Sequence, residues 1–241
     1  HVTFRFSDAD EDTLHNLNFR CRRGQTTAII GSTGSGKSTV AKLLLRFHDV
    51  TGGAIQFNGV DVRGMTQESL RDAIDYVPQK AWLFSGTIAD NLRFGNEVAT
   101  EKQMRHALDV SQSQFVYDLP DGLDSRVAQG GTNFSGGQRQ RLSIARALMK
   151  RADLYIFDDS FSALDFKTDA ALRRALVPET RDAATLIIAQ RISTILHADQ
   201  IIVLKDGEMA GIGTHEELME TCEVYRAIAE SQMKGGDGNG R

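Results

Sequence analysis

Apolar residues along this chain fall into three patterns. Continuous runs come first: Leu154–Phe157 ("LYIF") fits a strand buried on both faces, as in a parallel sheet covered by helices. Thr27–Ile30 and Leu186–Ala189 read as strands in the same way. Alternation comes second. Val2, Phe4 and Phe6 alternate with Thr3 and Arg5, predicting a half-buried strand, and "IIVLKDGEMAGIG" predicts a hairpin that turns at Asp206 and Gly207. Helical spacing comes third, with Val40, Leu43, Leu44 and Phe47 at i, i+3, i+4 and i+7 on one face, and Leu142, Ala145, Leu148 and Met149 on another.

Composition narrows the field. The chain has 241 residues, 41% hydrophobic and 25% charged, with a net charge of −4, which suits one globular unit or one core with an attached lobe. No apolar run is long enough to span a bilayer and the N-terminus is not signal-like, so no part is expected to cross a membrane. Scattered Lys and Arg leave no nucleic-acid footprint. Cys21 and Cys222 have no metal-ligand spacing and fit a reducing compartment. The tail "GGDGNGR" (235–241) reads as disordered. The opening "VTFRF" starts inside an alternating pattern, as a domain cut from a longer chain would.

Candidate chemistry begins after the first buried run. "GSTGSGKST" lies between a strand and a helix, and Gly31, Gly36, Lys37 and Ser38 match the spacing G-x-x-x-x-G-K-[ST]. Glycines there let backbone N–H groups curl round phosphate oxygens, and the helix N-terminus adds partial positive charge. Lys37 would reach the terminal phosphates and the Ser38 hydroxyl would ligate Mg²⁺. The run at Leu154–Phe157 ends on two adjacent carboxylates, Asp158 and Asp159, which repel unless a cation lies beside them. A strand-end carboxylate near such a loop holds that Mg²⁺, and Asp158 is the residue assigned to it.

A second anion site follows from "NFSGGQRQRLSIARALM". Ser135 can cap the helix, and Gly136 and Gly137 leave its start bare to an approaching phosphate. Two phosphate sites in one chain suggest ATP sandwiched between two copies of the domain.

With these motifs the chain resembles the ATP-binding cassette family, and within it the nucleotide-binding domain of exporters. The resemblance runs from about Val2 to Glu220. It rests on the loop at Gly31–Thr39, Gln79 in "YVPQ", "FSGGQ" (Phe134–Gln138), the strand ending at Asp158, and "SALD" (Ser162–Asp165); "LFSGTIADNLRFG" after Gln79 is exporter-like. It implies an α/β fold: a RecA-like P-loop NTPase core carrying a small antiparallel β subdomain, and a helical subdomain from about 85 to 149, within one domain spanning 1–234. It implies ATPase activity with ATP and Mg²⁺. Gly31, Ser32, Thr33, Gly34, Ser35, Gly36, Lys37, Ser38 and Thr39 would hold the phosphates. Gln79 would ligate Mg²⁺ with Ser38 and Asp158 and sense the γ-phosphate. Two such domains would close head to tail, bringing Ser135, Gly136, Gly137, Gln138 and the Asp165 loop to the partner's nucleotide. Further partners implied are the coupling helices of a transmembrane domain, which places the chain at the cytoplasmic face of the cell membrane. Trp82, Leu83 and Phe84 would receive those helices or pack within the helical lobe. Phe6 stands where the family has an adenine-stacking tyrosine; stacking and core packing both fit it.

Two positions depart from the family. Asp159 replaces the glutamate that orients attacking water, withdrawing the carboxylate by roughly 1–1.5 Å where 1 Å can cost about a hundredfold. Gln190 replaces the switch histidine; it can donate a hydrogen bond but carries no proton or charge at neutral pH. Together they predict ATP binding with slow hydrolysis at the chain's own site, as in the degenerate half of a heterodimeric exporter. The alternatives are a regulatory ATP-binding module without turnover and an engineered, hydrolysis-deficient cassette of a homodimeric exporter. A chromosome-maintenance ATPase needs a long coiled coil between Gln79 and Ser135, which the spacing excludes. A translation-type cassette needs paired cassettes and basic surfaces.

Overall fold

The computed structural model describes residues 1–236. The first half contains β1 (Val2–Phe4), β2 (Leu14–Leu17), β3 (Thr26–Gly31), α1 (Lys37–Leu44), β4 (Gln56–Phe57), β5 (Val60–Asp61), α2 (Gln67–Asp72), β6 (Ile74–Val77), β7 (Gly86–Thr87), α3 (Ile88–Arg93) and α4 (Glu101–Val110). It continues with β8 (Arg126–Val127), α5 (Gly136–Met149), β9 (Leu154–Asp158), α6 (Phe166–Thr180), β10 (Ala184–Ala189) and α7 (Ile192–Ile195). The chain then runs through β11 (Gln200–Lys205), β12 (Glu208–Gly213), α8 (His215–Thr221) and α9 (Glu223–Gly236). Of the stretch expected to be disordered, Gly235 and Gly236 close α9, and 237–241 lie outside the described residues.

A six-stranded sheet in the order β12-β11-β3-β10-β9-β6 forms the centre. Its neighbours pair in parallel, except for the antiparallel pair of β11 and β12. All of β9 and β10 is buried, because side chains pack on both faces. Ala28, Ile30, Phe157 and Ile187 join one apolar cluster with α6 and α9; Ile29, Ile156, Leu186 and Ile188 join another with α1. This alternation is the period-2 rule applied to strands covered on both sides, and each fully buried side chain such as Phe157 contributes about 1.5–3 kcal/mol. The antiparallel pairs β1–β2 and β4–β5 lie beside the α1 face, and a Thr3–Gly52 bridge ties β1 to the segment that precedes β4. Leu83, Ile88, Leu92, Met104, Leu108, Leu142 and Met149 make a third cluster around α3, α4 and α5. This is a RecA-like α/β core with a small antiparallel β part and a helical part.

The predicted hairpin is present, with Asp206 at φ 50° and Gly207 at φ 79° giving the doubly left-handed turn its Asp-Gly pair favours. Two expectations need correction. The strand at the start ends at Phe4, leaving Phe6 beyond it. The helix after the glycine-rich loop ends at Leu44, so Phe47 does not share its face. Arg46 turns left-handed at φ 53°, and its guanidinium donates to the Val62 and Met65 carbonyls at 3.0 and 2.8 Å, stopping the helix. Phe47 is then 54% exposed, with the Arg71 guanidinium 4.9 Å above its ring.

Parallel order explains where the chemistry collects. The neighbouring strands β3, β10, β9 and β6 all end at the same edge. There β3 leads into the glycine-rich turn, β10 into Gln190 and β6 into Gln79, while β9 ends on Asp158 with Asp159 next to it. Ligands of open α/β sheets bind outside such carboxyl ends.

Candidate nucleotide site

The turn after β3 is built to present backbone N–H groups. Gly36 sits at φ 101°, and a Cβ there would lie 2.5 Å from Leu14 Cδ2, so only glycine fits. The first turn of α1 has neither a side-chain cap nor an acidic residue, which leaves its N–H groups available to an anion. Ser32, Thr33, Gly34 and Ser38 are exposed, whereas Gly31, Ser35, Gly36 and Thr39 are buried. Lys37 is buried too, its Nζ donating to the carbonyls of Gly31 at 2.7 Å and Ser32 at 2.8 Å. Burial pulls its pKa below the ordinary lysine value, while the charges of Asp159 and Asp158 push it back up. A fixed cation therefore faces the two adjacent carboxylates.

Those carboxylates have different surroundings. Asp158 ends β9 and is 7% exposed, and its Oδ2 accepts from the Tyr76 hydroxyl at 2.9 Å. Burial raises its pKa, against the opposing effect of the Tyr76 bond and Lys37. Asp159 lies outside the strand at φ 49°, a left-handed conformation held by its N–H donating to the Ile188 carbonyl at 2.7 Å. Its Oδ2 accepts from Gln79 Nε2 at 2.8 Å. Burial raises Asp159 as well, and the like charge of Asp158 adds to the rise.

Gln190 follows β10 and is exposed at the same edge. The next residue, Arg191, donates from Nη2 to the Ser162 carbonyl at 3.2 Å, joining this loop to the segment after β9. Phe6 is half-buried and packs edge-on against Phe4, centroids 4.8 Å apart, and against His48 at 5.3 Å. Its ring is thus engaged in packing while part of it remains accessible.

Ser135 caps α5 through a reciprocal pair: its Oγ accepts from the Gln138 N–H at 3.1 Å, and Gln138 Oε1 accepts from the Ser135 N–H at 3.0 Å. At Gly136 a Cβ would meet nothing nearer than 4.0 Å. At Gly137 it would lie 3.3 Å from the Ala163 carbonyl oxygen. The helix start and the "SALD" segment are therefore neighbours. Asp165 caps α6, its Oδ1 accepting from the Thr168 N–H at 2.9 Å and its Oδ2 from the Thr168 hydroxyl at 2.7 Å; these bonds hold its pKa below the usual carboxylate value. The helix start at Ser135–Gln138 belongs to the helical part, whereas the glycine-rich loop, Asp158, Asp159, Gln79 and Gln190 share the sheet edge. Within the exporter-like segment, Leu83 is fully buried; Trp82 and Phe84 are about half exposed, and Phe84 lies 4.5 Å from exposed Phe94.

Sequence reasoning passed over Tyr76, although it stands inside the quoted "YVPQ". Its position on β6, paired with β9, is what brings it to Asp158; an aromatic hydroxyl three residues before Gln79 was the available signal.

A glycine-rich loop between strand and helix, with a buried lysine facing strand-end carboxylates, defines a P-loop nucleotide-binding domain. The chain belongs to the ABC transporter family: the family model for ABC transporters matches residues 14–162. It is 50% identical over 96% of its length to an uncharacterised ABC transporter ATP-binding protein of Mycobacterium tuberculosis (strain H37Rv). It is 41% identical over 97% of its length to a probable multidrug resistance ABC transporter ATP-binding/permease protein of Bacillus subtilis. A solved bacterial Atm1-family ABC exporter with ATP bound superimposes with a TM-score of 0.91 at 37% identity over 96% of this chain. In each case the chain spans 40% of the length of the protein it matches.

Proposed function

We propose that this chain is the ATP-binding part of an exporter and that its own nucleotide site binds Mg-ATP but hydrolyses it slowly. The observation that carries the reading is the contrast at one sheet edge. The phosphate loop and Lys37 are fully formed there, while the two catalytic positions hold Asp159, with a short side chain tied to Gln79, and the uncharged Gln190. In this reading Gly31–Thr39 cradle the phosphates, Phe6 lies against the adenine, and Gln190 donates to the γ-phosphate. Asp159 is a weak general base.

The donor set suits magnesium. The Ser38 hydroxyl, the Gln79 amide oxygen and the Asp158 carboxylate, which keeps lone pairs to spare beside its bond from Tyr76, are all hard oxygens. Bound there, Mg²⁺ would supply charge neutralisation at the β- and γ-phosphates.

The competent site lies in trans. The bare start of α5 (Ser135, Gly136, Gly137, Gln138), with the Asp165 loop against it, faces the nucleotide of a second cassette whose chain supplies glutamate and histidine. The partner is a different chain, which makes the assembly a heterodimer. Trp82, Phe84 and Phe94 expose apolar surface for the coupling helices of a membrane domain, placing the cassette at the cytoplasmic face of the membrane. Resemblance to a probable multidrug resistance protein and to an exporter supports export as the direction. The test compares ATP turnover of the unaltered chain with Asp159→Glu, Gln190→His and the double variant. The reading expects a gain of at least about a hundredfold in the double variant. Equal rates refute it.

A further inference from the structure

The last helix returns to the nucleotide edge of the sheet. Tyr225 and Ala229 of α9 are buried in the main apolar cluster, and Gln232 follows at the i, i+4, i+7 spacing that places all three on one helical face. The Gln232 amide then bridges the loop after β10. Its Nε2 donates to the Gln190 carbonyl at 2.6 Å, and its Oε1 accepts from the Ile192 N–H at 2.8 Å.

This grip has a defined mechanical effect. Ile192 opens α7, whose N-cap residue Arg191 offers no side-chain cap, so the Gln232 oxygen fills that place. One planar amide holding residues 190 and 192 fixes the peptide planes on both sides of Arg191, and with them the direction in which the Gln190 side chain leaves the backbone. Arg191 ties the same loop to Ser162 from the opposite side. Gln232 itself is exposed and buries little apolar surface, so its contribution lies in these two bonds.

We propose that Gln232 is a positioning residue for the nucleotide site: from the C-terminal helix it aims Gln190 at the γ-phosphate. The proposal rests on the reading of Gln190 as the γ-phosphate contact. It makes α9 part of the apparatus that distinguishes ATP from ADP, and any event that displaces α9 would change that distinction without touching the phosphate loop.

The readout is ATP preference, the ratio of the Mg-ADP to the Mg-ATP dissociation constant, measured by equilibrium titration of the purified chain. Gln232→Ala, Gln232→Glu, Gln190→Ala and the Gln232→Ala/Gln190→Ala pair are compared, with thermal unfolding confirming that each is folded. Gln232→Ala is expected to lower ATP preference about three- to tenfold, the scale of a lost hydrogen bond, with ADP affinity unchanged. Gln232→Glu keeps the acceptor for Ile192 but sets a carboxylate against the Gln190 carbonyl, and should lower the preference at least as far. In the Gln190→Ala background, Gln232→Ala should add nothing, because both changes act through one contact.

The proposal is overturned if Gln190→Ala lowers ATP preference and Gln232→Ala leaves it intact. It is overturned equally if the two effects multiply, or if Gln232→Ala weakens ATP and ADP alike. If Gln190→Ala itself changes nothing, the γ-phosphate role of Gln190 is wrong and the positioning role falls with it.

Discussion

Replacing Tyr76 by Phe removes one oxygen and leaves the ring. The lost bond is 2.9 Å long and ends on Asp158, a carboxylate 7% exposed at the end of a fully buried strand. A hydrogen bond to a buried charged group contributes about 1.5–3 kcal/mol, which for a domain of this size corresponds to roughly 3–12 °C in Tm. The pH dependence has a definite sign. Burial holds the folded pKa of Asp158 above its unfolded value despite the Tyr76 bond, so its ionisation costs stability as pH rises through the folded pKa. Without the hydroxyl that pKa moves higher still. The deficit of Tyr76→Phe should therefore be largest at neutral pH and shrink toward the value of a neutral hydrogen bond, about 1 kcal/mol, as Asp158 protonates in acid. Urea unfolding at pH 7.5 and at successively lower pH reads both quantities. A deficit below about 0.5 kcal/mol at pH 7.5, or one that grows in acid, would refute the argument.

Lys37→Ala should abolish tight ATP binding, because it removes the one side-chain cation of a cradle otherwise made of backbone dipoles; titration with a fluorescent ATP analogue checks this, and unchanged affinity counts against the phosphate loop. Asp75 is half-buried on β6, and burial pushes its pKa up to about 6 against the opposing charges of Lys150 and Arg146. A raised carboxylate contributes stability that is present below its unfolded pKa and lost as pH rises through about 6. Asp75→Asn should accordingly raise Tm at pH 8, by an amount equivalent to no more than about 3 kcal/mol, and the gain should vanish toward pH 4.

Much of this architecture is written locally in the chain. The runs at Thr27–Ile30, Leu154–Phe157 and Leu186–Ala189 announced strands because burial on both faces leaves no polar position to interrupt them. Asp206-Gly207 announced its turn because few other pairs tolerate two positive φ angles. Helix α5 was legible from its cap and its apolar face together. What stayed hidden depends on distant partners. The end of α1 is set by Arg46 reaching carbonyls 16 and 19 residues onward, and nothing in the Val40–Phe47 spacing reveals that. Tyr76 meets Asp158 across 82 residues through the pairing of β6 with β9, and Gln79 meets Asp159 across 80. The Gln232 grip on Gln190 and Ile192 likewise exists only after α9 has docked. Residue types at the nucleotide edge could thus be read from spacing, whereas the bonds that orient them could not.

In the proposed function, this chain's weak site is complemented by a competent site built partly from its own α5. The most direct measurement places Gly137→Asp in this chain alone within the reconstituted transporter, and follows turnover together with nucleotide occupancy at each loop. Gly137→Ala serves as the control, because any added Cβ would sit 3.3 Å from the Ala163 carbonyl oxygen and local crowding must be separated from charge. Gly137→Asp should lower turnover about a hundredfold more than Gly137→Ala, while ATP stays bound at this chain's Gly31–Thr39 loop. Retained turnover with both loops filled, or loss of ATP from this chain's loop with turnover intact, would contradict it.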